Sequence, residues 1–365
     1  MNRAKTIIPF LITILAFLYL ANFVVYEAIL LIFNINGSSF LVMGILAIFG
    51  ISFIVSIFLG RSYYNIFTRV YGTLAMAWMG FFGYFFIASA LYVLEFSFIG
   101  DPEKIFALIL FGLASVSGVY GIFHARKIVV KEVKVMLPKL PQIWQGRKAF
   151  WISDLHVGQI NGRRYVESVV EKLKDLKPDI LFIGGDLFDG SSAEGILDCI
   201  SAIKELKIPL GIYFVTGNHE VYGNKGRFME KISEVGIRIL NNEKIIIDNL
   251  QIVGVDYTDT AKENDFKKVL KELSIDTNIP SILLKHEPNH IDIAEEVGIS
   301  LQISGHTHKA QQWPFEYFAR LAYGRFTYGL NKFKNLKVYT SSGTGTWGPP
   351  MRVGTDSEIV IFTFI

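Results

Sequence analysis

A single cysteine, Cys199, stands among 365 residues, which excludes an internal disulfide framework. Charge is scarce in one half: the first 125 residues hold nine Asp, Glu, Lys and Arg, and the remainder holds sixty. Net charge is only +3, which gives no electrostatic case for nucleic acid as a partner. Residues 126–365 balance 31 basic against 29 acidic side chains without a basic stripe, which argues against a nuclease. The N-terminus lacks a secretory cleavage pattern. Its first apolar run is too long for a signal-peptide core and no small-x-small site follows it, so an uncleaved start is expected.

What is abundant is apolar. The hydrophobic fraction of 51% and the mean hydropathy of +0.37 are high for a soluble chain. Four apolar stretches, Ile7 to Phe33, Phe40 to Leu59, Leu74 to Leu94 and Ile105 to Phe123, each come to roughly the 20 residues that span a bilayer core. Arg3 and Lys5 precede the first, Arg61 and Arg69 flank the connection between the second and third, and Arg126, Lys127 and Lys131 follow the fourth. The other connections lack a cationic excess, so both termini are expected on the cytoplasmic side. Residues 1–125 therefore read as an all-α, four-helix transmembrane domain acting as an anchor in the cell membrane. Gly72, Gly80 and Gly83 on the third span are expected to pack against neighbouring helices.

Residues 126–365 form the second domain. Short apolar runs alternate with helical periodicity: Ala149 to Ile152, Ile180 to Ile183, Gly211 to Val215, Ile282 to Leu284 and Leu301 to Ile303 read as strands. Helices are expected over 163–176, 193–206, 227–235, 266–273 and 291–297. The pattern predicts an α/β fold with some antiparallel pairing, and functional residues just past the carboxyl ends of strands.

Chemistry-bearing residues fall at those ends. Ser153-Asp154-Leu155-His156, Gly184-Gly185-Asp186, Thr216-Gly217-Asn218-His219-Glu220, Lys285-His286 and Gly305-His306-Thr307-His308 each follow an apolar strand. Five of the seven histidines lie there. Neutral imidazole and carboxylate together suit first-row transition metals. A hydrolytic site with two cations also needs a carboxylate between them, for which Asp186 is the natural candidate. His219 is better placed to meet substrate, stabilising a developing oxyanion or protonating a leaving oxygen.

The order Asp-x-His, Gly-Asp, Gly-Asn-His-Glu, His, Gly-His-x-His over residues 148–310 resembles the calcineurin-like metallophosphoesterase superfamily. The resemblance implies a four-layer α/β/β/α sandwich and a dinuclear centre with two divalent metal ions; the His, Asp and Asn donors suit Mn, Fe, Zn or Co and do not choose among them. It implies that Asp154, His156, Asp186 and His308 hold one metal. Asp186, Asn218, His286 and His306 would hold the other, with His219 as the catalytic histidine. The reaction it implies is attack by a hydroxide bridging the metals. Ser342 to Pro349 with Arg352 and Glu358 is similar to the end of membrane-anchored bacterial members. The pattern departs where Lys309-Ala310-Gln311-Gln312, rather than glycines, follows the last histidine.

Residues 313–333 interleave aromatics with Arg320, Arg325 and Lys332. Such a segment suits a membrane interface, where anionic headgroups meet its cations; it also suits a loop packed on its own domain. Lys309, Trp313, Arg320, Arg325, Trp347 and Arg352 are the candidate substrate contacts. The expected function is hydrolysis of a phosphoester or pyrophosphate bond in a lipid or lipid-linked substrate, with membrane lipids as partners. A soluble nucleotide-type phosphodiester, or a receptor or scaffold that keeps the metal site without turnover, are the rival readings.

Overall fold

The structure, a computed structural model, describes residues 3–100, 103–191 and 194–365, with side chains from Leu18 onward except that of Glu194. Four helices come first: α1 (Arg3–Ile32), α2 (Phe40–Ser62), α3 (Ile66–Ile99) and α4 (Lys104–Ala125). The Ser39 side chain caps α2 by accepting from the Val42 amide, and Asn65 with Thr68 forms a capping box at the start of α3. Among the described residues, α2, α3 and α4 are long and apolar enough to cross a membrane, and Leu18–Ile32 of α1 is a shorter apolar helix. The side chains of residues 7–17 in the expected first span lie outside the described ones.

Helix α3 begins eight residues before the expected span at Leu74. Its polar first turn docks on the second domain: Thr68 Oγ1 donates to Gln159 Oε1 at 3.3 Å and Arg69 Nε donates to the Gln159 carbonyl at 3.3 Å. The glycines of α3 correct the expectation of helix-to-helix packing. A Cβ at Gly80 would lie 2.5 Å from Met351 Sδ, one at Gly83 would lie 3.2 Å from the Phe315 ring, and one at Gly72 would meet Gln159. These positions admit the second domain against the helix face.

Among the described residues that domain has twelve strands: β1 (Ile128–Val135), β2 (Lys148–Ile152), β3 (Ile180–Ile183), β4 (Ile212–Phe214), β5 (Arg238–Ile239), β6 (Glu243–Ile247), β7 (Leu250–Gly254), β8 (Ser281–Leu284), β9 (Leu301–Ser304), β10 (Gly329–Phe333), β11 (Leu336–Thr340) and β12 (Ser357–Phe364). They form two six-stranded sheets, β1-β12-β2-β3-β4-β5 and β10-β11-β9-β8-β7-β6. The strands from β2 to β5 run parallel, as do β7, β8, β9 and β11.

The side-chain period of two assigns each strand residue to a layer. Trp151, Phe182, Ile252, Ile282, Ile303 and Phe362 meet between the sheets. Phe150, Ile152 and Ile183 face outward under the helix Arg163–Leu176, packing with Val166 and Val170. On the other side Val253, Leu283 and Val338 pack under Phe266, Leu270 and Ile293. Strands buried on both faces explain the unbroken apolar runs. The result is the α/β/β/α sandwich.

The expected helix at 193–206 is a short helix Glu194–Leu197 continued as a 3-10 stretch over Asp198–Glu205, with Ala193 outside the described residues. The segment 313–333 is not one interfacial unit. It holds a helix, Glu316–Tyr323, and then β10, the edge strand of the second sheet, paired antiparallel with β11.

Candidate metal centre

The loops leaving β2, β3, β4, β8 and β9 converge at the carboxyl ends of both sheets. Within them Asp154, His156 and His308 each offer a donor atom, all within 4.8 Å of one another. Asp186, His286 and His306 form a second group, and His156, Asp186 and His219 a third, by the same measure. Asp186 belongs to two of these groups and stands between the ends of the cluster. Asn218 Oδ1 lies 3.0 Å from His306 Nδ1 and 3.2 Å from His286 Nε2.

The donor chemistry fits cations. His156 Nε2 and His308 Nε2 face each other at 3.1 Å, with Asp154 Oδ1 3.5 Å from the latter. Burial, with the neighbouring imidazole cations disfavoured alongside, holds the pKa of both rings well below the usual histidine value. Both rings are therefore neutral and carry a lone pair. His306 is lowered to about 4, by burial first and by His286 second. His286 behaves in the opposite way. Burial opposes its proton, but the Asp186 carboxylate 3.2 Å from Nε2 outweighs burial and raises its pKa. Without a cation the charge of Asp186 is balanced by that proton.

The backbone of this cluster is strained. Asp154, His156, Asp186, His306 and His308 all have φ between 47° and 70°, a left-handed region that costs an L-residue about 1–2 kcal/mol. Backbone bonds hold it there: Asp154 N donates to the Gly185 carbonyl and His156 N to the Asp186 carbonyl, each at 3.0 Å. Glycines make room around the carboxylates. A Cβ at Gly217 would lie 2.1 Å from Asp186 Oδ1, and one at Gly305 would lie 2.4 Å from Asp154 Oδ2.

Glu220 is a positioning residue to which the sequence reading gave no role. Its buried carboxylate accepts from the amides of Gly217 at 2.8 Å, Asp186 at 2.9 Å and Phe188 at 3.2 Å. It thereby ties the β3 and β4 loops together. The available signal was its place at the third position of the short helix Asn218–Tyr222, where an acid reaches back to free amides. His219 is oriented by a bond from Nδ1–H to the Asp189 carbonyl at 3.0 Å.

The proposed substrate contacts separate. Trp347 is beside the cluster, its ring centroid 5.9 Å from that of His219. Arg352 is not available to substrate: it is fully buried and donates to the carbonyls of Ser342 and Gly345, both at 2.7 Å. It braces the loop below His308. Lys309 donates to the Gly354 carbonyl at 3.1 Å and lies 3.6 Å from Glu316. Arg320 pairs with Glu316 at 3.5 Å, and the Arg325 guanidinium lies over the Phe326 ring. Trp313 is half exposed on the outer surface.

The site is thus a cluster of histidine and carboxylate donors at the strand ends of a two-sheet sandwich, an arrangement suited to metal-dependent hydrolysis. The sequence pattern of the calcineurin-like phosphoesterases matches residues 148–310. A metallophosphoesterase of Aquifex aeolicus is 31% identical over 258 residues, covering 69% of this chain and 97% of that protein. A metallophosphoesterase of Helicobacter pylori is 33% identical over 236 residues, covering 63% of this chain and 62% of its own length. A transmembrane protein with metallophosphoesterase domain from Danio rerio is 31% identical over 274 residues, covering 70% of this chain and 61% of that protein. The chain belongs to the calcineurin-like metallophosphoesterase family, and it spans less than two thirds of the Helicobacter and Danio relatives.

Proposed function

We propose that the chain hydrolyses a phosphoester or pyrophosphate bond in a lipid or lipid-linked substrate at the membrane surface. One observation carries the lipid part. The helix Glu316–Tyr323 and the residue before it put Phe315, Phe318 and Ala319 along a cleft of about 430 Å³ that also holds His156, Asp186, His219, His306 and His308. The same segment leaves Trp313 exposed at 54%, Tyr317 at 58%, Phe318 at 69% and Leu321 at 84%. Exposed apolar surface beside a polar site marks a membrane or ligand contact.

Asp154, His156 and His308 would hold one divalent cation, and Asn218, His286 and His306 the other, with Asp186 shared. When bound, the two cations supply Lewis acidity toward the phosphate and lower the pKa of a bound water. The chain supplies orientation and a proton. The Asp189 carbonyl fixes His219 Nδ1–H, so Nε2 turns to the cleft. In the reaction a water releases one proton to solvent and its oxygen bonds to phosphorus as the bond to the leaving oxygen breaks, and His219, carrying a proton on Nε2, gives it to that leaving oxygen. Trp347 and the Phe315–Phe318 side chains restrict water around the reacting group.

The second domain contacts the helix ends that carry Arg61 and Arg69 and extends along α3 as far as Gly83; by charge bias those ends belong to the cytoplasmic side. A cytoplasm-facing catalytic domain is part of the proposal. Its test is turnover of a long-chain phosphodiester and a soluble aryl phosphodiester by Mn²⁺-loaded protein. His219→Ala and Asp186→Asn are expected to lose at least about 10²-fold on both. Wild-type-like turnover in both variants refutes the catalytic assignment, and equal preference for the two substrates refutes the lipid assignment.

A further inference from the structure

A second space reaches the same catalytic face from the helices. A cavity of about 530 Å³ lies between Phe53 and Ile57 of α2, Met76 and Met79 of α3, and, across from them, His219 and Trp347. Its size is within the range of about 300–1,000 Å³ typical of ligand pockets. His156, Asn218, His219 and Trp347 line both this cavity and the cleft under Glu316–Tyr323, so the two meet at the donor cluster. Of the two, the larger has walls from helices long and apolar enough to cross a membrane.

Three polar side chains of this cavity, Ser56 of α2 and Ser191 and Gln159 of the second domain, are already engaged by carbonyls of the helix region. Ser56 Oγ donates to the Phe53 carbonyl at 2.7 Å, Ser191 Oγ to the Gly60 carbonyl at 2.9 Å, and Gln159 Nε2 to the Tyr63 carbonyl at 2.6 Å. Apart from Arg61 and Ser56, what α2 and α3 present to the lumen is methionine, phenylalanine, isoleucine and glycine, while Asp189, Tyr222 and Thr346 line the opposite side. A base or sugar placed there would give up water without gaining partners, a cost that hydrocarbon does not incur. The cationic side chain on this wall, Arg61, sits at the end of α2 in its last turn.

We propose that this cavity is the hydrocarbon-chain site of the enzyme. One chain of an amphiphilic phosphoester lies between α2 and α3, and its phosphate end is presented to His219 beside Trp347. The proposal rests on the lipid reading above and goes beyond it. It makes α2 and α3 part of substrate recognition in addition to their role as an anchor.

The experiment uses full-length, Mn²⁺-loaded protein in nanodiscs and p-nitrophenyl phosphodiesters whose second ester group is methyl, hexyl or dodecyl. Each buried methylene is expected to raise kcat/KM by up to about fourfold until the cavity is filled. The dodecyl-to-methyl ratio of the wild type should exceed about a hundred. Met76→Trp fills the lumen and should lower that ratio at least tenfold, while Leu113→Trp, exposed on α4 and away from the cavity, should not. The ratio is independent of the active fraction of each preparation.

Independently, a dodecyl phosphate carrying a terminal diazirine should label peptides containing Phe53, Ile57, Met76 or Met79 in the wild-type protein. That measurement decides the matter if Met76→Trp does not fold. A wild-type ratio near one without labelling of α2 or α3 overturns the lipid reading itself. A large ratio that Met76→Trp leaves intact, or labelling confined to residues 313–323, overturns the cavity assignment and leaves the lipid reading standing.

Discussion

Replacing Glu220 by glutamine keeps its volume and removes half of its accepting capacity. The carboxylate takes three amide donors, at 2.8, 2.9 and 3.2 Å, in a fully buried position. Glutamine has one oxygen. If that oxygen keeps the Gly217 and Asp186 amides, the side-chain NH₂ is turned against the Phe188 N–H, donor against donor. A buried donor without a partner costs about 1–3 kcal/mol. For a domain of this size that is a fall in Tm of about 2–12 °C.

Glu220→Ala orphans all three amides and adds a cavity, so its loss should be larger. The assay is thermal unfolding in detergent at pH 8 with fixed metal, alongside kcat/KM on an aryl phosphodiester. That pH is above the value of about 7 to which burial and the Asp186 carboxylate push Glu220, so the carboxylate is ionised. Because Glu220 sets the Asp186 and Asn218 loops, kcat/KM should also fall at least tenfold, as small misplacements of catalytic groups do. A Glu220→Ala protein within 1 °C of the wild-type Tm and with unchanged kcat/KM would refute the positioning role.

Three further outcomes follow from the same geometry. Gly217→Ala places a methyl carbon 2.1 Å from Asp186 Oδ1, so bound metal, measured by atomic emission after desalting, should fall together with turnover. Arg352→Ala leaves several carbonyls without their donor and empties a buried site. Its Tm should drop by more than that of Lys309→Ala, while the KM of the residual activity stays near wild type, because Arg352 braces the loop and does not face the cleft. Adding Mn²⁺ to chelator-stripped protein at pH 8 should release protons into a weakly buffered indicator solution. The Asp186 carboxylate holds a proton on His286 in the absence of a cation, and metal displaces it; Asp186→Asn should release fewer.

Most of the chemistry was legible because it sits in short local words. Asp154-Leu155-His156 and Gly305-His306-Thr307-His308 announce donors at strand ends, and strand ends of a parallel sheet point to one edge. Glu220 was less legible, since its function is to accept backbone amides and no neighbouring side chain marks it. Arg352 stood among the candidate substrate contacts, and nothing local in the sequence marks it as a brace. Only its complete burial and its carbonyl partners show that it supports the His308 loop. The glycines Gly80 and Gly83 read as helix-packing positions; the neighbours that fill their missing Cβ positions, Met351 and Phe315, come from more than two hundred residues away in the chain.

The sequence by itself determined the donor types, the apolar helices and the strands that carry the donors, because periodicity, capping and donor chemistry are properties of nearby residues. Tertiary structure alone decided which turns share a space, that five donor residues adopt left-handed backbone to do so, and that α2 and α3 wall a cavity opening onto His219. Those outcomes depend on contacts between segments far apart in the chain, which no local pattern encodes.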